Sequence, residues 1–213
     1  RHVEVAGVGT NLTCYGAVVP TRENLAELVA LARRAEAILG RSLLVSGGNS
    51  SSLDLAFDEG MPEGITGLRV GESILLGVST ITRRPLPELV QDAFVLEAPV
   101  VECRIKPTVP RGRIAQDAFG LTPEFVDRGD RLCAICALGR QDCLPEGLHP
   151  LQAGAQVLGA SSDHLIVDVQ DLSPSPAVGE SLHFLPSYGC LLAASTSPYV
   201  EKRVHGHQPH DRD

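Results

Sequence analysis

The fold is decided by the stretch Val45-Ser46-Gly47-Gly48-Asn49-Ser50-Ser51-Ser52. This stretch predicts the end of a buried strand that leads into a loop of small, hydrogen-bonding residues. Its two glycines give the backbone conformations that other residues rarely adopt, and Asn49 and the serines supply short donors and acceptors. Such a loop after a parallel strand is suited to hold a phosphate group. A turn that binds no ligand is the commoner use of such a stretch, and the loop alone does not exclude it.

A second element follows at Leu68–Gly77, where Arg69 and Gly71 lie on a short apolar run. We predict a strand from Leu68 to Leu76, because short apolar runs bounded by glycine are typical of buried strands. Arg69 adds a cation, and Gly71 permits close approach of the backbone to a ligand. The alternative for Arg69 is an ion pair at the protein surface.

The surrounding segments alternate between predicted strands and helices. Val3–Thr10 and Ser42–Val45 are predicted strands. Between them, leucine and alanine recur at helical spacing after Thr21, the predicted N-cap, and Gly40 is predicted to end the helix. A short helix is predicted to begin at Leu53. This order indicates part of an α/β barrel or a doubly wound sheet, in which ligands bind where strands end and loops begin.

The second part of the chain has a different pattern, with short apolar runs separated by Gly, Pro and Asp. These runs are Ala93–Cys103, Leu132–Leu138, Ala155–Leu158, His164–Val169, Leu182–Leu185 and Cys190–Ala194. Regular turn signals without long helices predict a β-barrel or sandwich. We therefore divide the chain into a partial barrel at residues 1–80, a β domain at 81–203 and a disordered tail at 204–213. The histidines of this tail are expected to be solvated rather than to bind metal.

The composition argues against several classes of protein. The net charge is −8 and the basic residues are scattered, which argues against a nucleic-acid partner. No apolar segment approaches the ~18 residues of a membrane span, and no targeting signal is visible. We therefore expect no nucleic acid and no membrane as partners, and a cytoplasmic location.

The six cysteines form no regular framework. Cys133 and Cys136 have the spacing of a pair of metal ligands, but they lie in the apolar run Leu132–Leu138, a predicted buried strand. Two residues three apart on a strand point to opposite faces, so they cannot easily chelate one ion. We expect buried free thiols rather than a metal site, in a reducing compartment.

Several motifs together resemble the alanine/ornithine racemase family of pyridoxal 5'-phosphate (PLP) enzymes. These motifs are Ser46–Ser51, Leu68–Glu72, Ile135–Asp142, Gly159–His164, Tyr188–Gly189 and Thr196–Val200. The resemblance covers nearly the whole chain up to about Val200. It implies an α/β fold similar to that of alanine racemase: the C-terminal part of a (β/α)8 barrel followed by an all-β domain. It also implies a homodimer, with each active site between one subunit's barrel and the other's β domain.

The resemblance implies a phosphate site for the cofactor PLP. Asn49 and Ser50 would flank the phosphate, and backbone amides around Gly71 and Glu72 would complete the cradle. Tyr199 would donate a phenolic hydrogen bond to the same phosphate.

The resemblance also implies contacts with the cofactor ring. Arg69 would face the pyridine nitrogen, and because an arginine stays protonated, that nitrogen would remain unprotonated. This arrangement weakens the electron sink and favours return of the proton over side reactions. Asn11, at the end of its strand, would lie near the ring.

Catalysis requires an acid/base group on each face of the substrate Cα. In the family these groups are a lysine that forms a Schiff base with PLP and a tyrosine in a Gly-Tyr-Ala-Asp motif. The matching stretch here is Gly139-Arg140-Gln141-Asp142. Arg140 is a poor base, and we expect it to bind the substrate carboxylate instead. Asp142 or Asp163 would bind the ammonium end of a longer substrate such as ornithine, and each could equally be a structural turn residue.

The Schiff-base lysine of the family has no counterpart, because the only lysines, Lys106 and Lys202, stand in other contexts. We therefore expect the C-terminal portion of a PLP-dependent racemase that interconverts L- and D-amino acids, inactive without the N-terminal half of the barrel. The expected partners are a small amino-acid substrate, a second subunit and that missing half. One alternative is a non-catalytic ligand-binding or dimerisation module, and another is a PLP-dependent amino-acid decarboxylase.

Overall fold

Residues 3–206 are described by the structure, a computed structural model of the chain. They divide into two units, one ending at Ala93 and the other beginning at Phe94. The sequence pattern places the boundary at residue 80. The boundary in the structure lies further along the chain. Most of the tail predicted to be disordered, including His207 and His210, lies outside the described residues.

The first unit is a three-stranded parallel sheet with helices between its strands. Its elements are β1 (Gly7–Gly9), α1 (Arg22–Leu39), β2 (Leu44–Asn49), a 3-10 turn (Ser50–Ser52), α2 (Leu53–Asp58), β3 (Gly67–Arg69) and α3 (Glu72–Leu76). The strands lie in the order β1-β2-β3. Because all three run in the same direction, their carboxyl ends lie at the same edge of the sheet.

Helix α1 begins and ends where the sequence predicts. Thr21 Oγ1 accepts a hydrogen bond from Asn24 N at 3.3 Å, and Asn24 Oδ1 accepts one from Thr21 N at 2.9 Å. Gly40 ends the helix with a φ of 67°, a conformation that favours glycine. The buried face of α1 packs on the sheet through a small cluster, Leu28, Ala32 and Val45.

The strand predicted over Leu68–Leu76 is wrong beyond Arg69, because Glu72–Leu76 forms the helix α3. The apolar run Ile74–Leu76 is too short to distinguish a helical period from a strand. Two signals do favour a helix, an acidic residue in the first turn and Gly77 directly after the last. Beginning a helix here gathers the backbone amides of its first turn near β3.

Two other strands have different bounds from those predicted. Strand β1 covers only Gly7–Gly9 of the predicted Val3–Thr10. Strand β2 extends to Asn49, so Ser46–Asn49 belong to the strand rather than to a loop. Asn49 therefore occupies the carboxyl end of a strand, where its side chain has a fixed position relative to the neighbouring strands.

The second unit is a six-stranded antiparallel sheet, which confirms the predicted β domain. Its elements are β4 (Leu96–Pro107), β5 (Asp130–Cys136), a 3-10 turn (Pro145–Gly147), β6 (Leu148–Pro150), β7 (Gln156–Ala160), β8 (Leu165–Asp168), β9 (Ser181–Pro186) and α4 (Tyr188–Thr196). The strand order is β6-β9-β4-β5-β8-β7, and the outer strands β6 and β7 approach each other. Its core consists of Ala98, Val100, Ala134, Cys136, Leu138, Cys143, Leu148, Leu165, Val167, Val169, Leu182, Phe184 and Cys190.

One of the apolar runs in the second unit, Cys190–Ala194, is helical and lies inside α4. Ser187 caps this helix by accepting a hydrogen bond from Cys190 N at 3.4 Å, and leucine and alanine are strong helix formers. The helix ends at Ser197. Across residues 3–206, none of the helices combines the length and the apolar character that crossing a membrane requires.

Candidate functional site

Three of the predicted site residues meet at the carboxyl edge of the parallel sheet. Asn11 follows β1, Asn49 ends β2 and Arg69 ends β3. Asn49 and Arg69 are paired directly in the register of β2 and β3. This meeting is the geometry that the parallel strand order predicts.

Arg69, at the end of β3, reaches β2 and the residues directly after β1. Its guanidinium donates to Thr10 O at 2.8 Å, to Asn11 Oδ1 at 3.5 Å and to Ser46 Oγ. All of these acceptors are uncharged. Among the described residues, Arg69 therefore forms none of the surface ion pairs that were the alternative for it. The residue is exposed, and its positive charge is therefore available to a ligand above the strand ends.

Asn49 fixes the loops on either side of it. Its Nδ2 donates to Asn11 Oδ1 at 3.0 Å and to Leu12 O at 2.9 Å. Its Oδ1 accepts from Ser51 N at 2.9 Å and from Ser51 Oγ at 2.6 Å. The side-chain amide thus ties the loop after β1 to the 3-10 turn after β2, which makes this edge of the sheet well ordered.

Ser50 binds the backbone at the start of α3. Its Oγ accepts hydrogen bonds from Gly71 N at 3.1 Å and from Ser73 N at 3.3 Å. Ser50 is buried, and so is Ser73, whose Oγ has no hydrogen-bond partner within residues 3–206. A Cβ placed on Gly71 would find nothing within 4 Å. Polar groups therefore cluster beside open space at this point.

Glu72 is the first residue of α3. The carboxylate forms an ion pair with Arg83. Pairing with Arg83 offsets the negative charge of Glu72, so it reduces the electrostatic repulsion of an anion bound at the start of α3.

The two motifs of the second unit pack against each other. Arg140 N donates to Ser161 O at 2.9 Å, and Gln141 N donates to Ser162 O at 2.9 Å. The Arg140 guanidinium pairs with Glu146 and lies 5.1 Å from the centroid of the Phe119 ring. Its Nε is buried and has no hydrogen-bond partner among the residues that the structure describes. One donor of Arg140 is therefore unused.

Asp163 is the exposed carboxylate of this pair of motifs. Its side chain is 55% exposed and lies 3.2 Å from His164 Nδ1. A hydrogen bond from Ser162 Oγ at 3.0 Å, together with the neighbouring His164, lowers the pKa of Asp163. The carboxylate therefore stays ionised at neutral pH and is accessible to a cationic group.

Asp142 is buried, and both of its oxygens are engaged inside the unit. Oδ1 accepts from Ser197 Oγ at 2.8 Å, and Oδ2 accepts from Gly139 N at 3.2 Å. Tyr199 follows this contact with a side chain that is largely exposed. These bonds favour the structural-turn alternative for Asp142 over direct contact with substrate.

Sequence reasoning missed four residues of these clusters. Ser46 and Ser73 flank the predicted phosphate residues, and Ser197 lies two positions before Tyr199. These three serines could have been predicted, since each lies inside one of the sequence stretches described above. Phe119 had no such signal, because it lies in the long segment between β4 and β5, which lacks any periodicity.

Two curated relatives match almost the whole chain. Ornithine racemase of Acetoanaerobium sticklandii is 46% identical over 205 residues, which are 96% of this chain and 58% of the relative. Lysine racemase of Thermotoga maritima is 44% identical over 203 residues, 95% of this chain and 57% of the relative. The chain therefore spans less than two thirds of the length of these relatives. No protein-family profile matches it.

The chain is thus similar to an ornithine racemase and a lysine racemase over a little more than half of each. Alanine racemase of Bartonella henselae, solved with covalently bound pyridoxal phosphate, superimposes with a TM-score of 0.56 at 22% identity. The superposition covers 91% of this chain and 51% of that structure. It confirms the fold class, the C-terminal part of a (β/α)8 barrel followed by an all-β domain.

The cluster around Ser50 contains groups of the kind that hold a phosphate in proteins. The orphaned hydroxyl of Ser73 is buried, and such a group costs free energy unless a ligand satisfies it. The open space at Gly71 leaves the backbone accessible. Hydroxyls and backbone amides are the donors that phosphate oxygens accept in proteins.

The lysines of the chain are engaged in the second unit. Lys106 pairs with Glu102, and Lys202 Nζ donates to Ser197 O at 2.6 Å. The unit that contains Arg69 and Ser50 has no lysine in its sequence.

The cysteines provide a test of the buried strand β5. Cys133 and Cys136 are buried, and burial raises the pKa of Cys136 to about 11. Because the thiolate is the reactive form, we expect iodoacetamide at pH 8 to modify the exposed Cys14 and to spare Cys136 until the protein is denatured. Peptide mass spectrometry before and after denaturation measures this. Modification of Cys136 as fast as Cys14 in the folded protein would contradict the buried position.

Metal binding by the cysteine pair has no support in the described part of the chain. Within residues 3–206, no group of three or more His, Cys, Asp or Glu side chains is arranged to hold a metal ion. Strand β5 contains both Cys133 and Cys136, as the sequence predicts. Their thiols are free in the structure.

Proposed function

We propose that this chain forms the phosphate-binding and ring-binding part of a PLP-dependent amino-acid racemase, which interconverts L- and D-amino acids. The observation that carries the proposal is the position of Arg69, held across three strand ends by uncharged acceptors. Beside it, Ser50 gathers the amides of Gly71 and Ser73. The names of the two curated relatives support the same reaction.

In this proposal, different residues of the chain would bind the phosphate and the ring of PLP. When bound, PLP supplies the electron sink that makes the α-hydrogen of an amino acid acidic. The hydroxyls of Ser50 and Ser73 would donate to the phosphate, and Tyr199 would add a phenolic hydrogen bond. Arg69 would pair with the ring nitrogen, and because the guanidinium keeps its proton, it leaves that nitrogen without one. Arg69 thereby moderates the electron withdrawal and favours return of the proton to Cα.

The substrate we propose is a diamino acid. Arg140 is partly exposed and keeps its positive charge, which suits a substrate carboxylate. Asp163 is exposed and ionised, which suits the ammonium group of a side chain. The curated relatives are named for ornithine and lysine, both of which carry such a group. We further propose a homodimer in which these two residues serve the cofactor site of the other subunit.

The lysine that binds PLP covalently is part of the proposal, and we place it outside these 213 residues. Lys106 and Lys202 are each engaged by other groups of the second unit. The acid/base work on one face of Cα therefore falls to a residue that this chain does not contain.

The proposal is tested by trapping PLP with borohydride and measuring intact mass. We compare the 213-residue chain with the protein encoded by the whole reading frame that contains it. We expect only the longer protein to gain a pyridoxyl group. We also expect only the longer protein to racemise ornithine or lysine, with the two enantiomers measured by chiral chromatography. Specific labelling of Lys106 or Lys202 in the chain would contradict the placement of the lysine. A longer protein that racemises no amino acid would contradict the function.

A further inference from the structure

Ser197 lies where two functional motifs of the second unit meet. Its Oγ donates to Asp142 Oδ1 at 2.8 Å and accepts from Tyr199 N at 3.2 Å. Its carbonyl oxygen accepts from Lys202 Nζ at 2.6 Å. Ser197 and Asp142 are each only 5% exposed, so these contacts are shielded from water.

The bond between Ser197 Oγ and Asp142 Oδ1 has the ordinary length of an O–H···O hydrogen bond. It matters because a buried carboxyl group is costly unless hydrogen bonds satisfy it. The other oxygen of Asp142 accepts from Gly139 N at 3.2 Å. Asp142 therefore holds both the start of the loop that carries Arg140 and the hydroxyl of Ser197.

The same hydroxyl fixes the backbone of Tyr199. Between them lies Pro198, whose ring restricts φ to a narrow range. Because the Tyr199 amide is bound to Ser197 Oγ, the phenol can move only by rotation about its own side-chain torsions. Because the Tyr199 side chain is 75% exposed, its position depends on this backbone anchor rather than on surrounding packing.

We infer that Ser197 is a positioning residue: its hydroxyl, anchored on Asp142, fixes the backbone from which the Tyr199 phenol projects. The inference rests on the proposed function, in which Tyr199 binds the PLP phosphate and Arg140 binds the substrate. A residue that only caps α4 would lower stability when changed, but it would not act specifically through the Tyr199 phenol.

The matched control for Ser197 is Ser187, at the other end of the same helix. Ser187 caps α4 by accepting from Cys190 N, and its hydroxyl makes no bond to Asp142 or Tyr199 among the described hydrogen bonds. Ser197→Ala and Ser187→Ala each remove one hydroxyl from a residue that flanks the same helix. A purely structural role predicts similar effects for both, whereas positioning predicts an effect at Tyr199 for Ser197→Ala alone.

The first measurement uses the chain without cofactor and follows hydrogen exchange of the Tyr199 amide by NMR. In the wild-type chain we expect this amide to be protected. We expect exchange to accelerate at least about tenfold in Ser197→Ala and to stay at the wild-type rate in Ser187→Ala. An unprotected Tyr199 amide in the wild-type chain would overturn the inference without any variant, so failure of Ser197→Ala to fold leaves it testable.

The second measurement is a PLP titration of the protein from the whole reading frame. We expect Tyr199→Phe to weaken PLP binding by about 5- to 30-fold, the effect of one lost hydrogen bond to a charged group. Ser197→Ala should give a loss of similar size, and the double variant should lose little more, because both act through one phenol.

The outcomes separate the two proposals. Unchanged PLP affinity in Tyr199→Phe would remove Tyr199 from the proposed cofactor site. Weakened binding in Tyr199→Phe together with wild-type binding in Ser197→Ala would overturn the positioning role and leave the proposed function standing. Fully additive losses in the double variant would also overturn it, since Ser197 would then act independently of the phenol.

Discussion

Arg69→Glu is expected to abolish racemisation by the protein from the whole reading frame, to below roughly one part in 10³ of the wild-type kcat, while the fold survives. The guanidinium donates to Thr10 O, Asn11 Oδ1 and Ser46 Oγ, and a carboxylate can donate to none of them. It would also place a negative charge among these acceptors and near the proposed phosphate. Because Arg69 is exposed, the new side chain can turn into solvent without disrupting the core.

The measurement is kcat for L-ornithine and L-lysine, with circular dichroism and the thermal midpoint as checks on folding. Arg33→Glu is the matched control, since Arg33 is an exposed arginine of α1 whose partner is Glu36. It reverses the same charge away from the strand ends and should retain turnover. Arg69→Lys should give an intermediate kcat, because lysine keeps the charge but not the planar fork. Wild-type turnover in Arg69→Glu would remove Arg69 from the proposed site.

Gly139→Ala is expected to destabilise the second unit by about 3 kcal/mol, the upper range for overpacking. A Cβ on Gly139 would lie 2.3 Å from both Asp163 N and Ser162 O. Both are backbone atoms, which cannot rotate away as the end of a side chain can. The two motifs would have to separate, which would also strain the hydrogen bonds from Arg140 N and Gln141 N.

Gly159→Ala provides the control for this change within the second motif. A Cβ on Gly159 would have nothing within 4 Å, so we expect a change in unfolding free energy within about 0.5 kcal/mol. Urea unfolding, followed by hydrogen exchange of amides in β5 and β8, measures the stability of the second unit. Equal midpoints for the two variants would show that the motifs tolerate separation and would contradict the described packing.

The regular elements of the first unit were predictable because their signals are local. The cap at Thr21, the spacing of apolar residues in α1 and the stop at Gly40 each depend only on neighbouring residues. Helix α3 was mistaken for a strand because an apolar run of this length fits either period. That error matters for the site, since the helix start brings the amide of Ser73, as well as that of Gly71, to Ser50.

The site was predictable in part. The meeting of Asn11, Asn49 and Arg69 follows from parallel strand order, and the family resemblance supplied their roles. The partners of Arg140 could not be predicted, because irregular segments carry them: Glu146 lies in the 3-10 turn of the same connection, and Phe119 lies in the segment between β4 and β5. The burial of Asp142 was equally invisible, since a turn carboxylate and a substrate-binding carboxylate look the same in a sequence. The positions of these residues are findings of the structure, whereas their functional roles remain predictions.

In the proposed cofactor site, the two amide bonds to Ser50 have a consequence for the choice between forms of vitamin B6. A serine hydroxyl has two lone pairs and one proton, and Gly71 N and Ser73 N already occupy the lone pairs. Ser50 can offer a further group only its proton, so a ligand group that binds it must be an acceptor. A phosphate oxygen is a stronger acceptor than the hydroxymethyl group of unphosphorylated pyridoxal. In that site, the polarity of one buried oxygen would therefore favour the phosphorylated form.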